Sequence, residues 1–382
     1  MDARKSHVII VLGMHRGGTS AIARGLKAIG VSLGDNLRPG NVNNPRGFWE
    51  DVDCLAINEE LLRHCHSGSH LALTCRFSEL DPALRALKEK ALQLIRRKKT
   101  ECAGAWGFKD PRTSRLLPFW RQSVEACGFA ATCVIAVRNP LSVALSLQER
   151  DGIPVEKSCF LWLLHMVPSV LESTGTCRVV VDYDLLMDEP LLQLQRMSSI
   201  LGETFNPTNG SSAAEYQDFL ERKLCHTRFS LSDLALDHRI PEDVGTVYGL
   251  LLRAAQDEID LSAPDVVQTF NAVKSRLQKF APAFAYADAL EEDRTRVYRN
   301  LAEYERRTEF LNQTLQERRD EVAILSHVLR ELQLALSAME TSMSWRVTAP
   351  LRLVYAFLKQ LAPRKITFEK RLRGRLSRKQ EG

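Results

Sequence analysis

Four short apolar runs, at residues 8–12, 105–108, 131–137 and 178–181, are set between stretches whose apolar positions recur at helical spacing. Each run is short enough for a buried strand, and the first leads directly into a helical pattern over 21–29. Buried strands separated by helices predict a parallel sheet covered on both faces. Residues 206–212 read Asn-Pro-Thr-Asn-Gly-Ser-Ser, which predicts a surface loop before further helices.

The pattern changes near residue 287. Leu290, Val297, Tyr304, Leu311, Leu325, Leu332 and Met339 form one seven-residue series, and Leu301, Leu315, Val322, Leu329, Leu336 and Met343 form the other. Thr308 and Arg318 interrupt them, and neither Gly nor Pro occurs from 283 to 349. A 3.5-residue apolar period held this long predicts a coiled coil. The alternative is a single helix whose stripe lies back on the globular part. Pro350 ends the pattern, a short apolar stretch covers 351–361, and 363–382 holds eight Lys or Arg against two Glu. Basic residues beside Trp345 and Tyr355 suit an anionic membrane surface; a solvated tail is the competing reading. The expected fold is therefore α/β: a P-loop-type parallel sheet flanked by helices over 1–275, then a long C-terminal coiled-coil helix over 287–343 and a basic amphipathic tail over 344–382.

Charge and cysteine content narrow the functional classes. A net charge of +5 over 382 residues favours anionic ligands without calling for nucleic acid. Nine cysteines, with no C-x-x-C pair, argue against a disulfide framework or a zinc site. His64, Cys65 and His66 lack a further ligand at suitable spacing, so no metal is expected there. The first residues are polar, and no uninterrupted run of 18 apolar residues occurs. A cytoplasmic protein, or one peripheral on the inner face of the membrane, is expected.

The chemistry is densest after the first strand. Gly13-Met14-His15-Arg16-Gly17-Gly18-Thr19-Ser20 joins strand to helix and directs backbone N–H groups and a helix N-terminus at an anion. Its spacing almost fits the triphosphate loop G-x-x-x-x-G-K-[ST], but Thr19 stands where the lysine belongs and Arg16 is the nearest cation. That displacement favours a phosphate-type donor other than ATP–magnesium. A second element runs from the strand at 131–137 through Arg138, Asn139 and Pro140 into a helix. Arg138 and Ser146 can both reach a second phosphate, one with a guanidinium fork and one with a hydroxyl. Arg150 follows Ser146 by one helical turn.

The first element resembles the 5′-phosphosulfate loop of the sulfotransferase family in its bacterial G-M-H-R-[SG]-G-T-S form, and Arg138 with Ser146 resembles that family's R-x₇-S motif for the 3′-phosphate. Gly47-Phe48-Trp49-Glu50, the run from Trp106 to Arg112, and Asp182-Tyr183-Asp184-Leu185-Leu186 are similar to segments of the same family. The resemblance spans residues 6–225. The stretch from Ser344 to Arg352 is similar to endings that follow coiled coils in bacterial polysaccharide glycosyltransferases.

The resemblance implies the donor 3′-phosphoadenosine 5′-phosphosulfate (PAPS), no metal, and sulfuryl transfer to an acceptor hydroxyl or amine on a small molecule, a carbohydrate or a lipid-linked glycan. It then implies that Gly13, His15, Arg16, Gly17, Gly18, Thr19 and Ser20 hold the 5′ side. Arg138 and Ser146 hold the 3′-phosphate. Arg16 with the loop N–H groups meets charge that develops on the transferring oxygens. Glu50 is the first candidate for a general base, with Asp51, Asp110 and His15 as substitutes. For Glu50 the competing reading is a solvated carboxylate, and for Lys109, Asp110 and Arg112 it is a structural ion-pair network. Two other functions stay open: a P-loop nucleotide kinase or phosphotransferase using Asp182 as a magnesium ligand, and a non-catalytic coiled-coil adaptor. The coiled coil makes a homo-oligomer the expected assembly.

Overall fold

Alternation within the first apolar run decides the architecture. Val8, Ile10 and Leu12 face one helical layer and Ile9 and Val11 face the other, all of them buried. The computed structural model describes residues 7–40, 44, 47–64, 82–102, 104–202, 210–220 and 228–361. The chain opens with β1 (His7–Leu12), then α1 (Thr19–Ala28), α2 (Val52–His64), α3 (Pro82–Glu101), β2 (Trp106–Lys109), α4 (Thr113–Ala126) and β3 (Ala130–Val137). Next come α5 (Pro140–Asp151), α6 (Val155–Leu171), β4 (Cys177–Asp182), α7 (Tyr183–Asp188), α8 (Pro190–Leu201) and α9 (Gly210–Phe219). The remainder is helical: α10 (Leu231–Leu236), α11 (Glu242–Ala255), α12 (Pro264–Lys279), α13 (Ala281–Thr341), α14 (Met343–Val347) and α15 (Ala349–Leu361).

The four strands are parallel, in the order β2-β1-β3-β4. One apolar cluster joins Ile135 and Val180 to α2, α3, α4, α6, α11 and α12, while the other joins Val134 and Val179 to α1, α8 and α9. The strands read as largely apolar runs because both their faces are dry. All four expected strands are present: three are extended by one or two residues, and the second lies one residue later at the same length. One expectation fails: Gly210, Ser211 and Ser212 open α9 rather than a loop, and residues 206–209 lie outside the described ones. The chain goes from β1 to β2 on one side and then to β3 on the other, so the carboxyl end of β1 is a topological switch point, where α/β folds bind ligands.

The chain divides into two units, 1–293 and 294–382. The first continues past α12 because Phe284 packs on Phe160 at a ring separation of 5.1 Å and Lys157 pairs with Glu291 at 2.5 Å. In the second, both apolar series of α13 face outward: Leu311, Leu315, Val322, Leu329 and Leu332 are all more than half exposed. An 18-residue window of α13 has mean hydropathy 1.3, so by length and composition this helix could also cross a membrane. Ser342 caps α14 by accepting from Trp345 N at 3.2 Å. The Arg352 guanidinium closes the corner before α15, lying 3.6 Å from the Trp345 ring centre and donating to Trp345 O and Thr348 Oγ1.

Candidate functional site

The residues singled out in the sequence gather at the carboxyl edge of the sheet. Strand register sets Leu12 beside Ile135 and Val137 beside Asp182, which brings Gly13, Arg138 and Tyr183 to one rim. The loop after β1 turns through left-handed backbone at Arg16 (φ 64°) and Gly18 (φ 80°). Gly18 has no room for a side chain, because a Cβ there would lie 2.3 Å from Cδ2 of Tyr183. Gly13 is as confined: a Cβ would lie 2.7 Å from Ala136 O. Ser114 on α4 clamps the loop start, accepting from Gly13 N at 2.7 Å and donating to Gly13 O at 3.3 Å. Thr19 is buried, and Ser20 Oγ donates to Phe48 O at 3.3 Å. Fixed glycines and a clamped helix N-terminus make a preorganised cradle for oxyanions.

Arg16, Arg138 and Ser146 meet across more than 120 positions of sequence. Arg16 Nε donates to Ser146 Oγ at 2.7 Å, and Arg138 Nη1 donates to Arg16 O at 3.2 Å. Asn139 fixes this strand end by accepting from Leu141 N as the α5 cap and donating to Phe229 O at 2.8 Å. The Arg138 guanidinium lies 4.7 Å from the Tyr183 ring centre, and its Nε is buried without a hydrogen-bond partner among the described residues. Burial, then the charges of Arg150 and Arg138, hold Arg16 below its ordinary pKa. Arg16 and Arg138 brought together against their own repulsion, with Arg150 nearby but paired to Asp151, suit a polyanionic ligand. His15 is half-buried, with its ring 6.0 Å from that of buried His165.

The acids are held in buried ion pairs. Glu50 is 3% exposed; its Oε1 accepts from Lys109 Nζ at 2.9 Å and its Oε2 from Arg38 Nη1 at 3.1 Å. Burial pushes the Glu50 carboxyl up, but Lys109, Arg112 and Arg38 outweigh it and hold the group below its usual range. Asp51 pairs with Lys98 at 2.9 Å, and Asp110 pairs with Arg112 and accepts from Asn58. Asp110 is displaced upward, by burial first and then by Glu50. Trp49 turns the chain in left-handed backbone (φ 56°), which sends the Phe48 carbonyl to Ser20 and the Glu50 carboxylate inward. Such a conformation costs a non-glycine residue about 1–3 kcal/mol. Cys65 and His66 lie outside the described residues, and His64 Nδ1 sits 2.8 Å from Glu60 O.

Tyr183 and Ser114 were not singled out as site residues by sequence reasoning. The available signal was position alone: each follows a strand or its terminal turn at the rim that carries the glycine loop. Asp182 spends Oδ1 on the α7 cap, accepting from Asp184 N and Leu185 N, while Oδ2 is buried without a partner among the described residues. Burial, with Asp184 adding, pushes its carboxyl up to about 6. The folded state thus holds a proton that the unfolded chain releases near pH 4. Asp182 therefore adds stability below pH 4 that is lost as pH rises through about 6. Asp182→Asn, which keeps the cap, is expected to gain about 1–2 kcal/mol at pH 7.5 and little at pH 4.5. Denaturant melts at the two pH values measure this, and an equal effect at both would contradict it.

No family model matches the chain, and no curated protein does. Among solved structures it is similar to the sulfotransferase domain from the Synechococcus PCC 7002 olefin synthase, at 15% identity and a TM-score of 0.36, covering 72% of this chain and 97% of that one. It is also similar to the sulfotransferase domain from the curacin biosynthetic pathway, at 14% identity and a TM-score of 0.40, covering 65% of this chain and 99% of that one. The likeness is distant and of overall fold only.

Proposed function

We propose that the first unit is a sulfotransferase that takes PAPS as donor and a hydroxyl or amine as acceptor. The observation that carries this reading is the meeting of Arg16, Arg138 and Ser146 beside the glycine cradle, with Arg138 Nε unused. The residues present fit a ligand with two separated anionic groups: the loop N–H groups and Arg16 for the 5′ side, Arg138 and Ser146 for the 3′-phosphate. PAPS supplies an activated sulfuryl group when bound. Arg16 and the N–H groups of Gly18 and Thr19 stabilise charge where it develops, while the Gly17 N–H donates to Met14 O at 3.0 Å and holds the turn.

The pairing of Glu50 moves the base assignment. Both its oxygens are engaged by cations and its pKa is depressed, so Glu50 is a weak proton acceptor that fixes Lys109 and Arg38. We assign the base role to His15, which lies half-buried in the loop with Nε2 out of contact with solvent, so that the role requires the ring to turn toward the acceptor. A glycan acceptor, lipid-linked glycans included, rests on the likeness of the 344–352 stretch to glycosyltransferase endings.

Calorimetric titration of the full chain with 3′,5′-bisphosphoadenosine and with ATP–magnesium tests the donor. Binding of the bisphosphate at least tenfold tighter is expected. Magnesium-dependent ATP turnover would favour the kinase reading instead, and donor binding with no transfer to any acceptor extract would favour the adaptor.

For α13 we assign a second copy as partner, since its two apolar series are exposed together over the length of the seam. Light scattering is expected to give a dimer for the full chain and a monomer for Leu329→Glu; a monomeric wild type would remove the assignment.

A further inference from the structure

The segment after α13 carries a surface that neither the donor site nor the heptad seam uses. On a helical projection of α15, Leu351, Leu353, Val354, Tyr355, Phe357 and Leu358 fall within an arc of about 200°. All six are exposed, from 58% to 73%. Arg352, Lys359 and Gln360 occupy the opposite side. No acidic residue occurs from 341 to 368, and 341–382 holds eleven Lys or Arg against two Glu. Helix α13 ends at Thr341 and Ser342 caps a new helix, so the pairing proposed for α13 does not extend to this face.

We infer that α14 and α15 dock on an anionic lipid bilayer, with α15 lying in the plane of the interface. Three features favour lipid over a protein groove. The apolar arc is broad, and the polar side carries Arg352 and Lys359 with no acidic residue. Trp345, held by Arg352, and Tyr355 have the amphipathic aromatic character found at headgroup depth. At 13 residues, α15 is too short to span a hydrocarbon core that takes about 20. The basic residues beyond it add attraction to anionic headgroups, about fivefold in affinity for each one near the surface. This surface is independent of the donor reading. Its consequence is that the catalytic unit works where membrane-associated acceptors are concentrated.

Co-sedimentation of the full chain with vesicles tests it. Phosphatidylcholine vesicles containing phosphatidylglycerol are expected to bind the chain, phosphatidylcholine alone to bind at least tenfold more weakly, and rising salt to release it. Leu358→Glu is expected to lose binding at least tenfold, and Arg352→Gln with Lys359→Gln at least fivefold, both with an unchanged melting temperature. Absent or headgroup-independent binding would overturn the proposal, as would full binding by Leu358→Glu. Dissociation of an oligomer by Leu358→Glu without vesicle binding would make the face a protein interface and overturn it equally.

Discussion

Arg138→Ala is expected to weaken binding of 3′,5′-bisphosphoadenosine about a hundredfold, which corresponds to about 3 kcal/mol. A guanidinium–phosphate contact in a largely dry site accounts for much of this, since hydrogen bonds to charged groups contribute about 1.5–3 kcal/mol. The rest comes from the Arg16 carbonyl, which loses the donor that holds the turn at 3.2 Å. The fold is expected to survive, because removing one of three clustered cations relieves repulsion on Arg16. Arg138→Lys is expected to recover part of the affinity as a point charge without the fork. Calorimetry reads the affinity and thermal melting reads the fold. Unchanged affinity in Arg138→Ala would separate the 3′-phosphate from this residue and remove the main support for the donor assignment.

Lys109→Ala is expected to cost about 3–5 kcal/mol of stability at pH 7, because it strands the Glu50 charge in a site 3% exposed. Arg38 stays within 3.1 Å but is partly exposed, so it compensates little. The cost depends on pH in a defined direction. In the native chain the depressed Glu50 pKa contributes stability that is present above the unfolded carboxylate value and is lost as pH falls through the folded one. Without Lys109, burial dominates and raises that pKa, so Glu50 takes up a proton in the acid range. The variant should therefore lie closer to wild type at pH 4 than at pH 7. Lys109→Met with Glu50→Leu is expected to recover most of the loss, since the pair can be replaced by apolar volume. Urea melts of the three variants at both pH values measure this. A loss under about 1 kcal/mol in Lys109→Ala would mean that the pair is solvated.

The parts legible in the sequence were those whose signal lies within a few residues. Each strand is marked by a mainly apolar run, because a strand with two dry faces needs no alternation. The glycine loop was legible because positive φ and close approach restrict residue choice at Gly13 and Gly18 themselves. Pairings across the fold were not legible. Lys109 and Glu50 stand 59 positions apart, and only the path of the chain around Trp49 brings them together. The sequence offers Glu50 as a carboxylate near the site, and its pairing with Lys109 and Arg38 appears only in the fold. Tyr183 was hidden for the same reason: its contact with Gly18 depends on β4 lying two strands from β1. At 210–212 the turn-forming residues misled, since Gly and Ser are equally suited to open a helix.

The packing of Thr19 bears on design. Its Cγ2 lies 3.0 Å from the position a Cβ on Gly13 would take, and the residue is 4% exposed. A lysine at that place would have to put an ammonium where a methyl now fills space, or swing its stem past Tyr183. Thr19→Lys alone is therefore expected to disrupt the packing of this turn rather than to create a triphosphate-binding loop.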